Sequence, residues 1–500
     1  MNIADAKQQV KDTIEAYLAE DDRGRPLLDT ARQRPVFLVG APGIGKTAIM
    51  AQIASELGIG LVSYSMTHHT RQSALGLPFI VHEEYEGLEY EASEYTMSEI
   101  IASVYAYMKK SETKRGILFL DEINCVSETL YPSMLQFLQF KTFGRHAVPE
   151  GWIIVTAGNP PEYNKSVHEF DVVTLDRVKK ISVEPDFGAW KAYAVSKGTH
   201  PAILTFLEIK KNRFYSIEAS LEGKSFVTAR GWDDLSDMMG IFEQLGKPVN
   251  YDLIVQYVQN ETIAREFAAY YDLFNKYRDD YRIDEILGGG DVSGIIDRAA
   301  AAEFDERLSL VGLLLDAVCG DMREIVEDTD VLVALRDDLR SLKPAVEEGR
   351  DVRSLLDELE RSRTSQLELG VAAGNLSKGR RATAERELDE IAAFKQAAEG
   401  GGTPEADYAL VSQAFATKAE ALQTRVAAVE ERLSRAFAFV EGAFGDAQEM
   451  TVFTTELTSR TSSARYIAQY GSASYFAHNA DMILSERQRE LRRRVEDLNV

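Results

Sequence analysis

The sequence predicts an α/β fold: a parallel-sheet core, then a smaller helical domain, then a long all-α C-terminal extension. Three observations carry this. Short apolar runs alternate with amphipathic helical stretches through the first part of the chain. A glycine-rich turn, Gly40-Ala-Pro-Gly-Ile-Gly-Lys-Thr47, sits between the first such run and the first such helix. Beyond about residue 295 the composition shifts to Ala, Leu, Glu and Arg, the mixture typical of long helices.

In chain order, Ile3, Val10, Ile14, Tyr17 and Leu18 recur at helical spacing and predict an N-terminal helix within residues 1–30. Val36 to Val39 is a buried-strand run that feeds the glycine-rich turn. Strands are then expected at Leu61 to Met66, Ile117 to Leu120, Trp152 to Thr156 and Ile181 to Val183, with helices at Met97 to Lys110 and Glu128 to Phe140. Alternation of this kind means a parallel sheet covered on both faces, here over residues 31–185. The stretch from Thr70 to Thr96, acidic between His82 and Glu94, is expected to be an irregular rim insertion because it is longer than an ordinary connection.

From about Asp186 strand signals fade, so residues 186–285 are expected to form a helical lid, and the turn-rich segment Ile286 to Gly294 a joint. Residues 295–500 read as the helical extension. In it Tyr408, Val411, Phe415, Leu422, Val426, Val429, Leu433, Val440 and Phe444 form the seam of one packed helix. Thr403, Pro404 and Glu405 mark its start as cap, first-turn proline and dipole-compatible acid. Gly400 to Gly402 closes an earlier helical run with Leu355, Leu359, Leu388, Ile391 and Phe394, which predicts an antiparallel helical hairpin over about 350–445, either a protruding coiled coil or ordinary core helices of a compact bundle.

Five hundred residues are too many for one core, and 45% apolar content is ample for two or three. The formal charge of −24 opposes indiscriminate attraction to nucleic acid or to an anionic membrane, so neither is expected as a partner. Cys125 and Cys319 are far apart and form no C-x-x-C pair, which argues against a disulfide framework or structural zinc and for a reducing, cytoplasmic setting. His68 and His69 lack further ligands at metal-binding spacing. Arg492 to Arg494, interleaved with Glu490 and Glu496, reads as a solvated helix face. No apolar run is long enough to span a membrane.

The chemistry-bearing residues lie where the strands end. Gly40, Ala41, Pro42, Gly43, Ile44, Gly45, Lys46 and Thr47 fit G-x-x-x-x-G-K-[ST] in the strand-to-helix context that this phosphate loop requires. Glycines let backbone N–H groups turn inward on a phosphate at a helix N-terminus. Lys46 would hold the β- and γ-phosphates of a nucleotide, and the Thr47 hydroxyl would ligate Mg²⁺. Ile117 to Leu120 ends in Asp121 and Glu122; Asp121 would hold Mg²⁺ through its water shell, and Glu122 would polarise the attacking water. Asn159, at the tip of the strand from Trp152, would orient that water if its strand lies between the two motif strands, though asparagine ahead of two prolines is also an ordinary turn residue. Arg177 in Thr174-Leu-Asp-Arg-Val178 is the candidate to reach a neighbouring subunit's γ-phosphate, with Arg145 as its competitor and a local salt bridge as the plain alternative. Arg230 in Thr228-Ala-Arg-Gly-Trp232 would fold over the nucleotide, or else face solvent at a helix start.

Taken in order, GAPGIGKT, ILFLDEIN, TAGNPPEYN, TLDRV and TARGW resemble the AAA+ superfamily, and within it the MoxR-type ATPases of the dynein-related branch, over roughly residues 30–245. The resemblance implies a P-loop NTPase core and a nucleotide-bridged ring, expected to be hexameric. It makes Asn159 sensor 1, Arg177 the trans-acting arginine finger and Arg230 sensor 2. It further implies chaperone-like remodelling of a protein client together with a partner bearing a von Willebrand factor A domain. The region after about residue 290 is longer than a minimal MoxR-type lid. A nucleic-acid-directed NTPase of the same branch and a non-hydrolysing ATP-gated scaffold are the competing readings; the acidic balance opposes the first and the presence of Glu122 and Arg177 the second.

Overall fold

The computed structural model describes residues 1–68, 72, 74, 76–85, 88–143, 145–163, 167–220, 223–372, 378–398 and 402–479. His69, Gly400, Gly401 and the Arg492–Arg494 run lie outside them. Two compact units result: Met1–Trp190 with Thr228–Arg230 and Gln366–Lys378, and the remainder of the chain.

The first unit is built on five parallel strands, β1 (Val36–Gly40), β2 (Gly60–Ser65), β3 (Gly116–Asp121), β4 (Trp152–Gly158) and β5 (Lys179–Val183), arranged β2-β3-β4-β1-β5. The three central strands, β3, β4 and β1, are almost wholly buried, which is why they read as unbroken apolar runs in the sequence. Register fixes the site: Leu118 lies beside Ile154, Val155 beside Val36, and Gly158 beside Val39, so β1, β3 and β4 end at one edge of the sheet. Crossover helices Lys46–Leu57, Glu99–Ser111 and Tyr131–Phe140 supply Ile49, Ile53, Ile101, Val104, Met134 and Phe137 as buried side chains. Each full burial of this kind contributes about 1.5–3 kcal/mol.

The rim insertion is not irregular as expected. Pro78–Tyr85 and Leu88–Tyr95 form a regular antiparallel hairpin, in register from Pro78 opposite Tyr95 to Tyr85 opposite Leu88. Leu88, Tyr90 and Ala92 alternate with Glu89, Glu91 and Ser93, but in the first strand Phe79, Ile80 and Val81 run together and Phe79 and Ile80 are both exposed, which hides the pairing in the sequence.

In the second unit the expected all-helical character is interrupted by a short hairpin, Ser216–Ser220 with Gly223–Val227. The anticipated joint holds two short helices, Ile283–Gly288 and Ser293–Ala300, separated at Gly289 in the left-handed region. Helix Phe304–Glu347, 44 residues, spans about 66 Å. Helix Pro404–Phe444 runs antiparallel to it: Tyr408 donates to the Leu339 carbonyl, Arg425 pairs with Asp328, and Arg432 with Asp321. Val352–Ala372 and Lys378–Ala397 form a second antiparallel pair, with Lys395 bonded to Asp357 and Glu360. Leu335, Leu339, Leu355, Leu356, Ile391, Phe394 and Val411 fill the space between these helices. No helix among the described residues is long and apolar enough to cross a membrane.

Candidate functional site

The phosphate loop joins β1 to the helix that starts at Lys46. Gly43 and Gly45 have φ of 72° and 96°, a region closed to most side chains, and a Cβ on Gly43 would lie 2.8 Å from Thr228. The first turn of the helix therefore presents backbone N–H groups to a cradle that only glycine can line this closely.

Lys46 is 7% exposed, and its Nζ donates to the carbonyls of Gly40 and Ala41, each at 2.8 Å, and to Asn159 Oδ1 at 2.9 Å. Burial pulls its pKa down to about 8; the Asp121 carboxylate opposes that shift, Arg230 adds to it, and Glu122 opposes it. The sequence condition on Asn159 is met, because β4 lies between β3 and β1. Thr47 Oγ1 donates to Asp121 Oδ2 at 2.7 Å, which brings two hard oxygen ligands together at the strand ends. That donor pair suits Mg²⁺ held through one hydroxyl and a carboxylate. Among the described residues no group of three His, Cys, Asp or Glu is placed to hold a metal ion.

Glu122 adopts a left-handed backbone, φ 56°, just past the end of β3. A non-glycine residue there costs about 1–2 kcal/mol. The turn aims the Glu122 carboxylate at Ser65 Oγ and Thr67 Oγ1, both of which donate to Oε2 at 3.0 Å. Ser65 and Thr67 were not foreseen. The signal was the strand register, which sets Ser65 directly beside Asp121, and no single-segment motif contains it.

The three arginines occupy different places. The Arg230 backbone N–H donates to the Gly43 carbonyl at 3.1 Å, which ties the Thr228–Arg230 segment to the phosphate loop, and its side chain is exposed. Arg177 is not with the other site residues. It precedes β5, whose first residue, Lys179, is level with Val36 at the start of β1, whereas Gly40 of the phosphate loop is level with Val183 at the end. The strand alone sets about 13 Å between those levels. The Arg177 guanidinium is exposed and donates to Gln139 Oε1 at 2.7 Å. Arg177 lines a surface pocket with Leu135, Gln136, Gln139, Asp171 and Val173, and Val173 is 57% exposed. Arg145 is committed elsewhere, paired with Glu94 at 2.6 Å.

Residues 36–162 match the family model described as "ATPase family associated with various cellular activities (AAA)". No curated protein matched the sequence. Many solved structures match as well, two of them as follows. One is a Cytophaga hutchinsonii protein provisionally described as an ATPase, at 15% identity and TM-score 0.23, covering 36% of this chain and 46% of that one. The other is a proline-to-glycine variant of Thermotoga maritima RuvB, at 17% identity and TM-score 0.29, covering 51% of this chain and 69% of that one. The chain thus spans under half of the Cytophaga protein's length, and scores this low bear on nothing functional. Residues 36–162 are an AAA ATPase domain, joined to a largely helical second unit.

Proposed function

We propose that the protein is a MoxR-like AAA+ ATPase that hydrolyses ATP at the boundary between two of its own copies and uses the cycle to remodel or activate a protein complex. The observation that carries this reading is the split of its motif residues. Lys46, Thr47, Asp121, Glu122 and Asn159 converge at the carboxyl edge of the sheet, while Arg177 sits at the amino edge, too far along β5 to act on the same nucleotide. Arg177, exposed beside Gln139, Asp171 and the exposed Val173, lies on a surface that a neighbouring copy would cover.

In this reading the loop Gly40, Ala41, Pro42, Gly43, Ile44, Gly45 wraps the phosphates with its N–H groups, and Lys46 turns from its carbonyl partners toward them. Thr47 and Asp121 hold Mg²⁺, which when bound neutralises phosphate charge. Glu122 takes up the proton of the attacking water, and Asn159 orients that water. Arg177 of the neighbour stabilises the transition-state charge, an effect worth about 10³–10⁵ in rate in related chemistry. Arg230, in the first turn of helix Ala229–Gln244, passes the phosphate state to that helix. A hexameric ring, a protein client and a von Willebrand factor A domain partner complete the proposal; they rest on the motif resemblance.

Turnover of ATP by the purified chain and by Glu122→Gln, each sized with and without Mg-ATP, tests it. The reading expects wild type to hydrolyse, Glu122→Gln to retain nucleotide with turnover lowered at least about 100-fold, and both to assemble on ATP. Binding without hydrolysis or assembly at any concentration would leave the gated-scaffold reading instead.

A further inference from the structure

We infer that Asn124 is a positioning residue for Asn159, setting the place of the amide that meets the γ-phosphate; this rests on the role given to Asn159 above. Asn159 is the first residue past the β-ladder: Gly158 still pairs with Val39, whereas residues 160 and 161 are prolines with no N–H to donate. Its placement therefore depends on contacts from outside the sheet. Asn124 supplies them. It lies two residues beyond Glu122, in the single 3-10 turn Ile123–Cys125, and is only 5% exposed.

Its Nδ2 donates to the Asn159 carbonyl at 2.8 Å. Its carboxamide fills the space beside Gly158, where a Cβ would lie 2.3 Å from Oδ1 and 2.7 Å from Cγ. Its own carbonyl accepts from the His168 N–H at 2.8 Å. One buried amide thus fastens the turn that carries Glu122 to the strand tip that carries Asn159. The connection continues through Asn159 Oδ1 to Lys46 Nζ at 2.9 Å. Glu122, Asn159 and Lys46, from three separate motifs, are linked through the Asn124 side chain, and a shift of the strand tip would move the Asn159 amide. Displacements of about 1 Å at such a group are enough to cost about 100-fold in rate.

The test compares wild type, Asn124→Ala, Asn124→Asp, Gly158→Ala, Asn159→Ala and the Asn124→Ala/Asn159→Ala double variant in the full chain. ATP and ADP affinities are measured by calorimetry, with melting temperature and turnover alongside. Asn124→Ala should lose most of the ATP-over-ADP preference, keep ADP affinity within about twofold, and lower kcat about tenfold or more, with KM for ATP rising as ATP affinity falls. Asn124→Asp keeps the shape but replaces the donor with an acceptor and should do the same. Gly158→Ala should reach the same state by pushing the carboxamide aside, and serves if Asn124→Ala fails to fold. The double variant should be no worse than Asn159→Ala, because both changes cut one connection. A wild-type ATP-over-ADP ratio in folded Asn124→Ala or Asn124→Asp, or losses that multiply in the double variant, would overturn the assignment at Asn124. An unchanged ratio and turnover in Asn159→Ala would overturn it one step earlier, at Asn159 itself.

Discussion

Lys46 shows how one side chain couples a fold to a ligand. Without phosphate it is buried against two carbonyls of its own loop, and burial lowers its pKa to about 8. A bound polyphosphate favours the charged ammonium, so the bound-state pKa lies above the free one. Below pH 8 the proton is present in both states; above it, binding must take a proton up. Affinity for ATP should therefore be flat up to about pH 8 and weaken as pH rises further, by up to about tenfold per unit. Calorimetry in buffers of different ionisation enthalpy would register the uptake, and Lys46→Arg, which stays charged, should abolish this slope.

At this scale the sequence was most legible where one segment holds the chemistry. Gly40 to Thr47 and the Asp121–Glu122 pair stand together in the chain because consecutive backbone groups must act together. Ser65, Thr67 and Asn124 were invisible for the converse reason. Their partners, Glu122 and Asn159, lie 57, 55 and 35 positions away, and only the register of β2, β3 and β4 makes them neighbours.

Helices declare themselves through their ends and their buried stripe, and Pro404–Phe444 does both. Thr403 Oγ1 accepts from the Ala406 N–H, with Pro404 at the first position and Glu405 and Asp407 in the first turn, as the sequence suggested. Thr403→Ala should lower stability by about 1 kcal/mol, a few degrees at most in thermal melting, and leave ATP turnover unchanged. A loss of turnover would mean that this helix end does more than pack. The hairpins Pro78–Tyr85 with Leu88–Tyr95 and Ser216–Ser220 with Gly223–Val227 escaped for a physical reason. Periodicity in a sequence reports burial, and in the first ribbon the alternation of Leu88, Tyr90 and Ala92 with polar residues is confined to one strand, while Phe79, Ile80 and Val81 run together in the other, with Ile80 at 65% exposure. Glu84 and Glu89 even face each other across it, an arrangement that propensity alone would discourage.

For the whole molecule, strand order β2-β3-β4-β1-β5 decides what one copy can do. It gathers the phosphate loop, the two carboxylates and Asn159, and it leaves Arg177 at the amino end of β5 beside exposed Val173. The alternating strands and helices made that sheet legible before its geometry was known. An arrangement of copies around a shared nucleotide rests only on the motif order, because the contacts that would establish it lie between chains. A formal charge of −24 opposes indiscriminate association, so any assembly of copies would depend on specific contacts.

The most direct measurement mixes two inactive variants. Lys46→Ala removes the phosphate-binding lysine but keeps Arg177; Arg177→Ala keeps an intact phosphate loop. If catalysis takes place between copies, each variant alone should be nearly inactive, and an equimolar mixture should regain activity, at most about a quarter of wild type for randomly assorted rings. Full activity of Arg177→Ala by itself, or a mixture that co-assembles and stays as inactive as its parents, would contradict the account.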